Sequence, residues 1–192
     1  MASDRQLQCK CGAMHWTIAA SARGSHLKCY CADCQTFARH LGAEATSLDD
    51  AGGTDVFQTL PVHFRFVRGQ GMLRMLRLGP KGMYRWYAGC CGTPIANTLT
   101  GTGLPFVGVI LRPGQAGFGP VTALANTGAA KRPVKARGLA RAIFSILLRA
   151  AGARLSGRGT MAPFLAPDGR PAVAPMVLTL EERNAARPPA TR

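Results

Sequence analysis

The fold class is decided by the stretch Met72-Leu-Arg-Met-Leu-Arg-Leu78, Gly79-Pro-Lys-Gly82 and Met83-Tyr-Arg-Trp-Tyr87. In the first segment the apolar residues Leu73 and Met75 interleave with Arg74, so one face of a strand can be buried while the other meets solvent. The Gly-Pro-Lys-Gly linker is typical of a hairpin connection. The stretch therefore predicts two neighbouring antiparallel strands.

Similar short segments surround this hairpin. Further strands are predicted at Met14–Ile18, His26–Cys29, Val62–Val67 and Phe106–Leu111. Residues 34–41 are expected to form two helical turns that end at Gly42. Residues 49–55 are polar and glycine-rich, and they are expected to form a loop. Strands and turns without a βαβ rhythm predict a mainly β, antiparallel fold.

The amino-acid composition of the sequence changes after Gly114. Leu139, Ile143, Ile146, Leu147 and Ala150 share one face of a predicted amphipathic helix over residues 139–151. We expect this face to pack on the β-core, although a basic helix lying on anionic lipid is an alternative. We divide the chain into a β domain (residues 1–128), a basic amphipathic helix region (129–158) and a proline-rich extended tail (159–192).

Composition and charge restrict the function classes. The 192 residues carry a net charge of +15, and residues 56–167 contain no Asp or Glu. Such a field attracts anions. The N-terminus is polar and no long apolar run occurs, so we expect a soluble, cytoplasmic protein. Thiols stay reduced in that compartment, which favours metal binding over disulfides for the seven cysteines.

The segment Cys29-Tyr-Cys31-Ala-Asp-Cys34 places three thiols in one short loop. Thiolates at this spacing can converge on Zn²⁺, and a site with three protein ligands leaves one tetrahedral position for water or substrate. Two other interpretations stay open: a closed structural zinc site with a fourth ligand from elsewhere, and thiol redox chemistry at Cys31-x-x-Cys34.

The remaining cysteines, Cys9, Cys11 and the adjacent pair Cys90–Cys91, suggest a second zinc site. Neighbouring side chains in an extended strand point to opposite faces, so Cys90 and Cys91 can share an ion only at a bend. The flanking glycines can supply that bend. We expect three of the four thiols to bind, with Cys90 the weakest candidate.

The ordered motifs Cys-x-Cys-Gly, Cys-x-Cys-x-x-Cys and Cys-Gly-Thr-Pro resemble the glutathione-dependent formaldehyde-activating enzyme superfamily, which includes centromere-protein-V-type domains. The resemblance covers about residues 7–112. It implies an antiparallel β-tent fold, an accessible zinc on Cys29, Cys31 and Cys34, and a structural zinc on Cys9, Cys11 and Cys91. It also implies carbon–sulfur lyase chemistry on a glutathione–aldehyde adduct. The chain departs from the family at Ala88, where a cysteine is expected, and at Tyr30 and Gln35.

Proton transfer at such a site needs a group that titrates near neutral pH. His26 and His40 are the nearest histidines in sequence, and Asp33 is the nearest carboxylate. Arg65, Arg74, Arg77 and Arg85 are candidates for binding a substrate carboxylate. The alternative is a non-enzymatic zinc module that binds nucleic acid, a protein partner or an anionic membrane through its basic surface. No pattern predicts an oligomeric state.

Overall fold

A computed structural model describes residues 3–189, and its largest element is an eight-stranded sheet. The strand order is β10-β3-β4-β9-β8-β7-β6-β11. The strands are β3 (Ser25–Cys29), β4 (Thr54–Thr59), β6 (Leu73–Arg77), β7 (Tyr84–Ala88), β8 (Thr93–Thr98), β9 (Val107–Leu111), β10 (Ala123–Ala125) and β11 (Met176–Val177). All neighbours pair antiparallel except the edge strands β10 and β11, which pair parallel with β3 and β6. The predicted mainly β, antiparallel class is confirmed.

The hairpin that defined the fold class is β6 and β7. Met75 lies opposite Trp86 and Leu73 lies opposite Ala88, and all four side chains are buried on one face of the sheet. Side-chain alternation along each strand therefore sends this set into the core.

A second sheet covers that face of the large one. It contains β1 (Arg5–Gln8), β2 (His15–Ile18) and β5 (Phe64–Arg68) in the order β1-β2-β5. Trp16 and Phe64 enter the main hydrophobic core from this sheet. Phe164, from the C-terminal region, lies with its ring 5.2 Å from that of Trp86 and 4.8 Å from that of Phe64. Residues beyond the β domain thus complete the main core.

The opposite face of the large sheet is covered by helices. Helix α1 (Ala32–His40) buries Phe37 against Leu76 and Ile110, and Leu178 joins the same cluster. The helix ends at Leu41, followed by Gly42 with φ +62°, as the sequence predicts. The short helix α2 (Glu44–Ser47) follows, and α4 (Leu180–Ala186) packs against α1. The tail is irregular over much of its length but contains β11 and α4.

Helix α3 (Leu139–Leu155) continues past Gly152 and packs through small residues. Its buried side chains are Ala142, Ala150 and Ala153, whereas Leu147 is 50% exposed. The expectation that the predicted apolar face packs on the β-core is confirmed only in part: Ala150 is buried and Ile146 is half-buried, whereas Ile143 is 48% exposed. Alanines allow the helix backbone to approach β3 and β4 closely, and the larger apolar side chains point outward. In the described part of the chain, no helix meets the length and apolarity needed to cross a membrane.

Candidate metal centres

The first cluster, called the Cys29 cluster, consists of Cys29, Cys31 and Cys34. Cys29 is the last residue of β3, Cys31 caps the N-terminus of α1, and Cys34 lies in its first turn. Their sulfur atoms lie within 4.8 Å of one another. Cys29 is buried, whereas Cys31 and Cys34 are partly exposed. The strand-to-helix junction thus brings the three predicted thiols together.

Hydrogen-bond donors surround these sulfurs. The backbone N–H of Cys34 donates to Cys31 Sγ at 3.3 Å, and the Asn126 amide donates to Cys29 Sγ at 3.4 Å. Hydrogen bonds from the Cys31 and Cys34 thiols, assisted by Asn126, hold the pKa of Cys29 well below its usual range despite burial. The cluster therefore favours a thiolate, the form that binds metal. Asn126 could not be identified as part of the cluster from the sequence, where Asn before Thr-Gly indicates only a turn.

The second cluster, called the Cys9 cluster, consists of Cys9, Cys11, Cys90 and Cys91, with all four sulfurs within 4.8 Å. The separations are 3.6 Å for Cys9–Cys11, 3.8 Å for Cys9–Cys90, 3.4 Å for Cys11–Cys90 and 3.8 Å for Cys90–Cys91. Tetrahedral Zn²⁺ with Zn–S bonds of about 2.3 Å requires sulfurs about 3.8 Å apart. The separations of the four sulfurs are therefore compatible with a zinc ion, and they include Cys90, the weakest candidate in the sequence.

Cys90 and Cys91 converge because they lie in the turn between β7 and β8. Gly92, with φ +69°, donates its N–H to Ala88 O at 2.8 Å and closes the bend. Burial raises the pKa of Cys91, but hydrogen bonding to the Thr93 hydroxyl and to Cys11 outweighs burial and lowers it to about 6. Thr93 also accepts the Lys10 N–H at 2.9 Å. It therefore connects both halves of the cluster, a role that the sequence analysis did not assign.

Gly92 offers a direct test of this turn. A methyl group at this position would lie 2.7 Å from the carbonyl oxygen of Leu41, and an L-residue at φ +69° adds about 1 kcal/mol of backbone strain. We expect Gly92→Ala to reduce the free energy of unfolding by about 2 kcal/mol or more, measured by denaturant titration. Gly12→Ala is the matched control because Gly12 has φ +74° with no atom within 4 Å. Equal losses in both variants would contradict the close approach.

The predicted catalytic residues lie in three different places. His26 belongs to β3 but faces away from Cys29, because the two residues are an odd number of positions apart. Its Nδ1 lies 2.8 Å from Gly119 O, and its Nε2 lies 3.1 Å from Asp55 Oδ1. His40 is the last residue of α1, at the end opposite the thiols. Of the three predicted residues, Asp33 alone stays beside the cluster, in the first turn of α1.

Arg85 is the best placed of the four candidate arginines. Its guanidinium is nearly buried, lies 3.8 Å from the Asp33 carboxylate and rests 5.5 Å from the centre of the Phe37 ring. Arg74 and Arg77 instead donate to backbone carbonyls near their own strand. Arg65 lies exposed on the small sheet. Asp33 and Arg85 thus form a charged pair adjacent to the Cys29 cluster.

A cavity of about 550 Å³ opens between the two sheets and α2. Lys10 and Arg112 give its lining positive charge, and Ser47, Pro94 and Ile110 form one wall. The same three wall residues line a narrow crevice that reaches Cys34. The cavity volume is within the range typical of small-molecule sites.

The model of a family of unknown function, DUF6151, matches residues 1–167. The chain belongs to this family. The matched part includes both cysteine clusters and α3, and it ends before β11 and α4. DUF6151 carries no assigned activity, and no curated protein matches the chain.

A solved structure, a structural-genomics protein from Rhodobacter sphaeroides, is similar to this chain at 20% identity and a TM-score of 0.38. The match covers 54% of this chain and 82% of that one. Neither comparison names the formaldehyde-activating superfamily.

Proposed function

We propose that the chain is a zinc protein whose Cys29 cluster acts on a thiol–aldehyde adduct of the glutathione type, with carbon–sulfur lyase-like chemistry. The observation that carries this proposal is the difference between the two clusters. Among residues 3–189, the Cys9 cluster gathers four sulfurs and the Cys29 cluster gathers three. Four sulfurs fill a tetrahedral ion and suit a structural role, whereas three leave one position for an exchangeable ligand.

A zinc ion held by Cys29, Cys31 and Cys34 would supply Lewis-acid activation of a thiol or carbonyl group. The chain provides the remaining functions. Asn126 and the Cys34 amide orient the thiolates through the hydrogen bonds described above. The Asp33 carboxylate, 53% exposed and beside Cys34, is placed to take the proton of an incoming thiol. The resulting sulfur then bonds to the aldehyde carbon, and the proton passes to the carbonyl oxygen; the lyase direction reverses both transfers.

The cavity supports a small anionic substrate. Lys10 and Arg112 supply positive charge in its lining, and its wall residues Ser47, Pro94 and Ile110 also line a narrow crevice beside Cys34. The buried Arg85 is held beside the cluster by its pair with Asp33, and a substrate carboxylate would have to share it with that residue. The resemblance to the formaldehyde-activating superfamily supports glutathione as the thiol.

Zinc content and adduct turnover test the proposal together. We expect two zinc ions per wild-type chain by mass spectrometry, and one in a folded Cys31→Ser variant. Wild-type protein should accelerate the equilibration of formaldehyde with glutathione, followed by NMR. Cys31→Ser should lose this acceleration, and Asp33→Asn should lose roughly tenfold or more. Glu44→Gln, at the start of α2 with a 45% exposed side chain, should keep it.

The failures are distinguishable. Wild-type protein with two zinc ions and no acceleration would favour a non-enzymatic zinc module. Finding no zinc in the wild-type protein would contradict the proposal entirely.

A further inference from the structure

Helix α3 presents an outward face rich in exposed apolar side chains. Phe144, Leu147, Leu148 and Leu155 are 62%, 50%, 58% and 91% exposed. Along a helix of 3.6 residues per turn, these four positions fall within one arc of about 100° on the side facing away from the buried Ala142, Ala150 and Ala153, with the exposed Arg141 at its edge. A contiguous apolar patch of this kind is unusual on a soluble surface and indicates an interaction site.

The patch belongs to a helix that the fold holds in place. Arg149 donates to Ser25 Oγ at 3.3 Å and to Gln58 O at 3.4 Å, which fixes the inner face against β3 and β4. Arg154 donates to the carbonyl of Gly103 at 2.7 Å. Ala142 packs with Leu27 and Val56. The apolar face is therefore preformed before any partner binds.

Exposed basic side chains lie on α3 and in the segments next to it. The segment leading into α3 and the helix itself carry exposed cations at Lys131, Arg132, Lys135, Arg137, Arg141, Arg154 and Arg158. Residues 56–167 contain no acidic residue to neutralise them. The partner must therefore combine an apolar interior with a negatively charged surface.

We propose that α3 docks the protein on an anionic lipid membrane, lying in the interface with Phe144, Leu147 and Leu148 inserted among the acyl chains. Leu and Phe opposite Lys and Arg are the composition of interfacial helices, and anionic headgroups attract such basic clusters. A second copy of this chain does not fit, because pairing two such faces would bring the same cations together. Nucleic acid does not fit, because the apolar stripe has no complement on a phosphate backbone.

Vesicle flotation tests this docking with the full-length, zinc-loaded protein. We expect binding to vesicles of phosphatidylcholine mixed with phosphatidylglycerol, and little binding to phosphatidylcholine alone. The double variant Phe144→Ser/Leu148→Ser should lose roughly tenfold or more in partition coefficient. The triple variant Arg132→Gln/Lys135→Gln/Arg141→Gln should show a similar loss.

The matched control is Val67→Ser/Leu180→Ser, which removes two exposed apolar side chains elsewhere on the surface and should bind like wild type. Zinc content and thermal unfolding verify that each variant is folded, because Ala142 of α3 shares a cluster with Cys29. Recovery of wild-type protein only in the soluble fraction would overturn the proposal. A dimer in light scattering that dissociates in the Phe144→Ser/Leu148→Ser variant, without vesicle binding, would assign the face to self-association instead.

Discussion

Replacing Cys9 with serine is expected to remove one zinc ion and with it the folded state of the domain. Cys9 is fully buried, and its sulfur contacts Cys11 and Cys90 while accepting the Met14 N–H at 3.2 Å. These contacts connect the end of β1 to the β7–β8 turn, about 80 residues away in sequence. Structural zinc contributes about 10–16 kcal/mol in small zinc domains, whereas whole domains are stable by about 5–15 kcal/mol. Circular dichroism with zinc analysis measures the result.

Cys90→Ser is the informative companion variant, because Cys90 is exposed and its replacement leaves the other three thiols in place. If Cys90 is the fourth ligand, as the sulfur separations suggest, zinc affinity should fall by roughly a hundredfold. If Cys90 does not bind, the affinity should match wild type. A Cys9→Ser protein that unfolds cooperatively with two zinc ions would contradict the structural role of the cluster.

The sequence predicted those elements that are determined by residues close together in the chain. Alternation in residues 72–78 identified β6, and Gly42 marked the end of α1. The spacing in Cys29-Tyr-Cys31-Ala-Asp-Cys34 predicted that these three thiols meet, because a helix start brings residues two or three apart within reach of one ion, whereas the meeting of Cys9 and Cys11 with Cys90 and Cys91 depends on the tertiary fold. The bend at Gly92 is also local, which is why the flanking glycines could be recognised from the sequence.

Two central strands were not predicted. Strand β8 contains Pro94, which normally argues against an interior strand. Here a register shift between Trp86 and Tyr87 places Pro94 opposite Tyr87 at an irregular point of the ladder. Strand β4 begins at Thr54, inside the segment interpreted as a polar loop, because Asp55 looks like a loop residue until its buried partners are known.

For α3 and β3, the sequence analysis also did not predict correctly which side chains share a face with the core or with the thiols. Periodicity showed that Ile143, Leu147 and Ala150 share a face of α3, but it could not show that the packed side is rotated toward Ala142 and Ala153. Likewise, the short distance of His26 from Cys29 in sequence suggested a shared site. Strand alternation places the two side chains on opposite faces of the sheet. The first outcome depends on tertiary packing that a single sequence does not specify, whereas the second follows from the alternation of the strand that the sequence itself predicts.

The position of His26 leads to the second large effect, expected for Asp55→Ala. The Asp55 carboxylate is 5% exposed and accepts from His26 Nε2 at 3.1 Å and from Lys28 Nζ at 3.1 Å. Asp55 is thus the shared partner of the His26 ring and of the Lys28 ammonium, and Asp55→Ala leaves both without it. Removing one partner of a buried charge group costs about 3 kcal/mol or more. Chemical denaturation should show that loss.

Asp168→Ala is the matched control, since Asp168 pairs with Arg170 at an exposed position where no measurable change is expected. His26→Gln distinguishes the two roles considered for this histidine. If His26 supports the sheet, the variant should lose stability while the folded protein keeps its zinc content and its rate of adduct turnover. If His26 instead transfers protons to substrate, turnover should fall while stability stays near wild type. The hydrogen bonds to Gly119 and Asp55 lie across the sheet from the thiols, so we expect the first result.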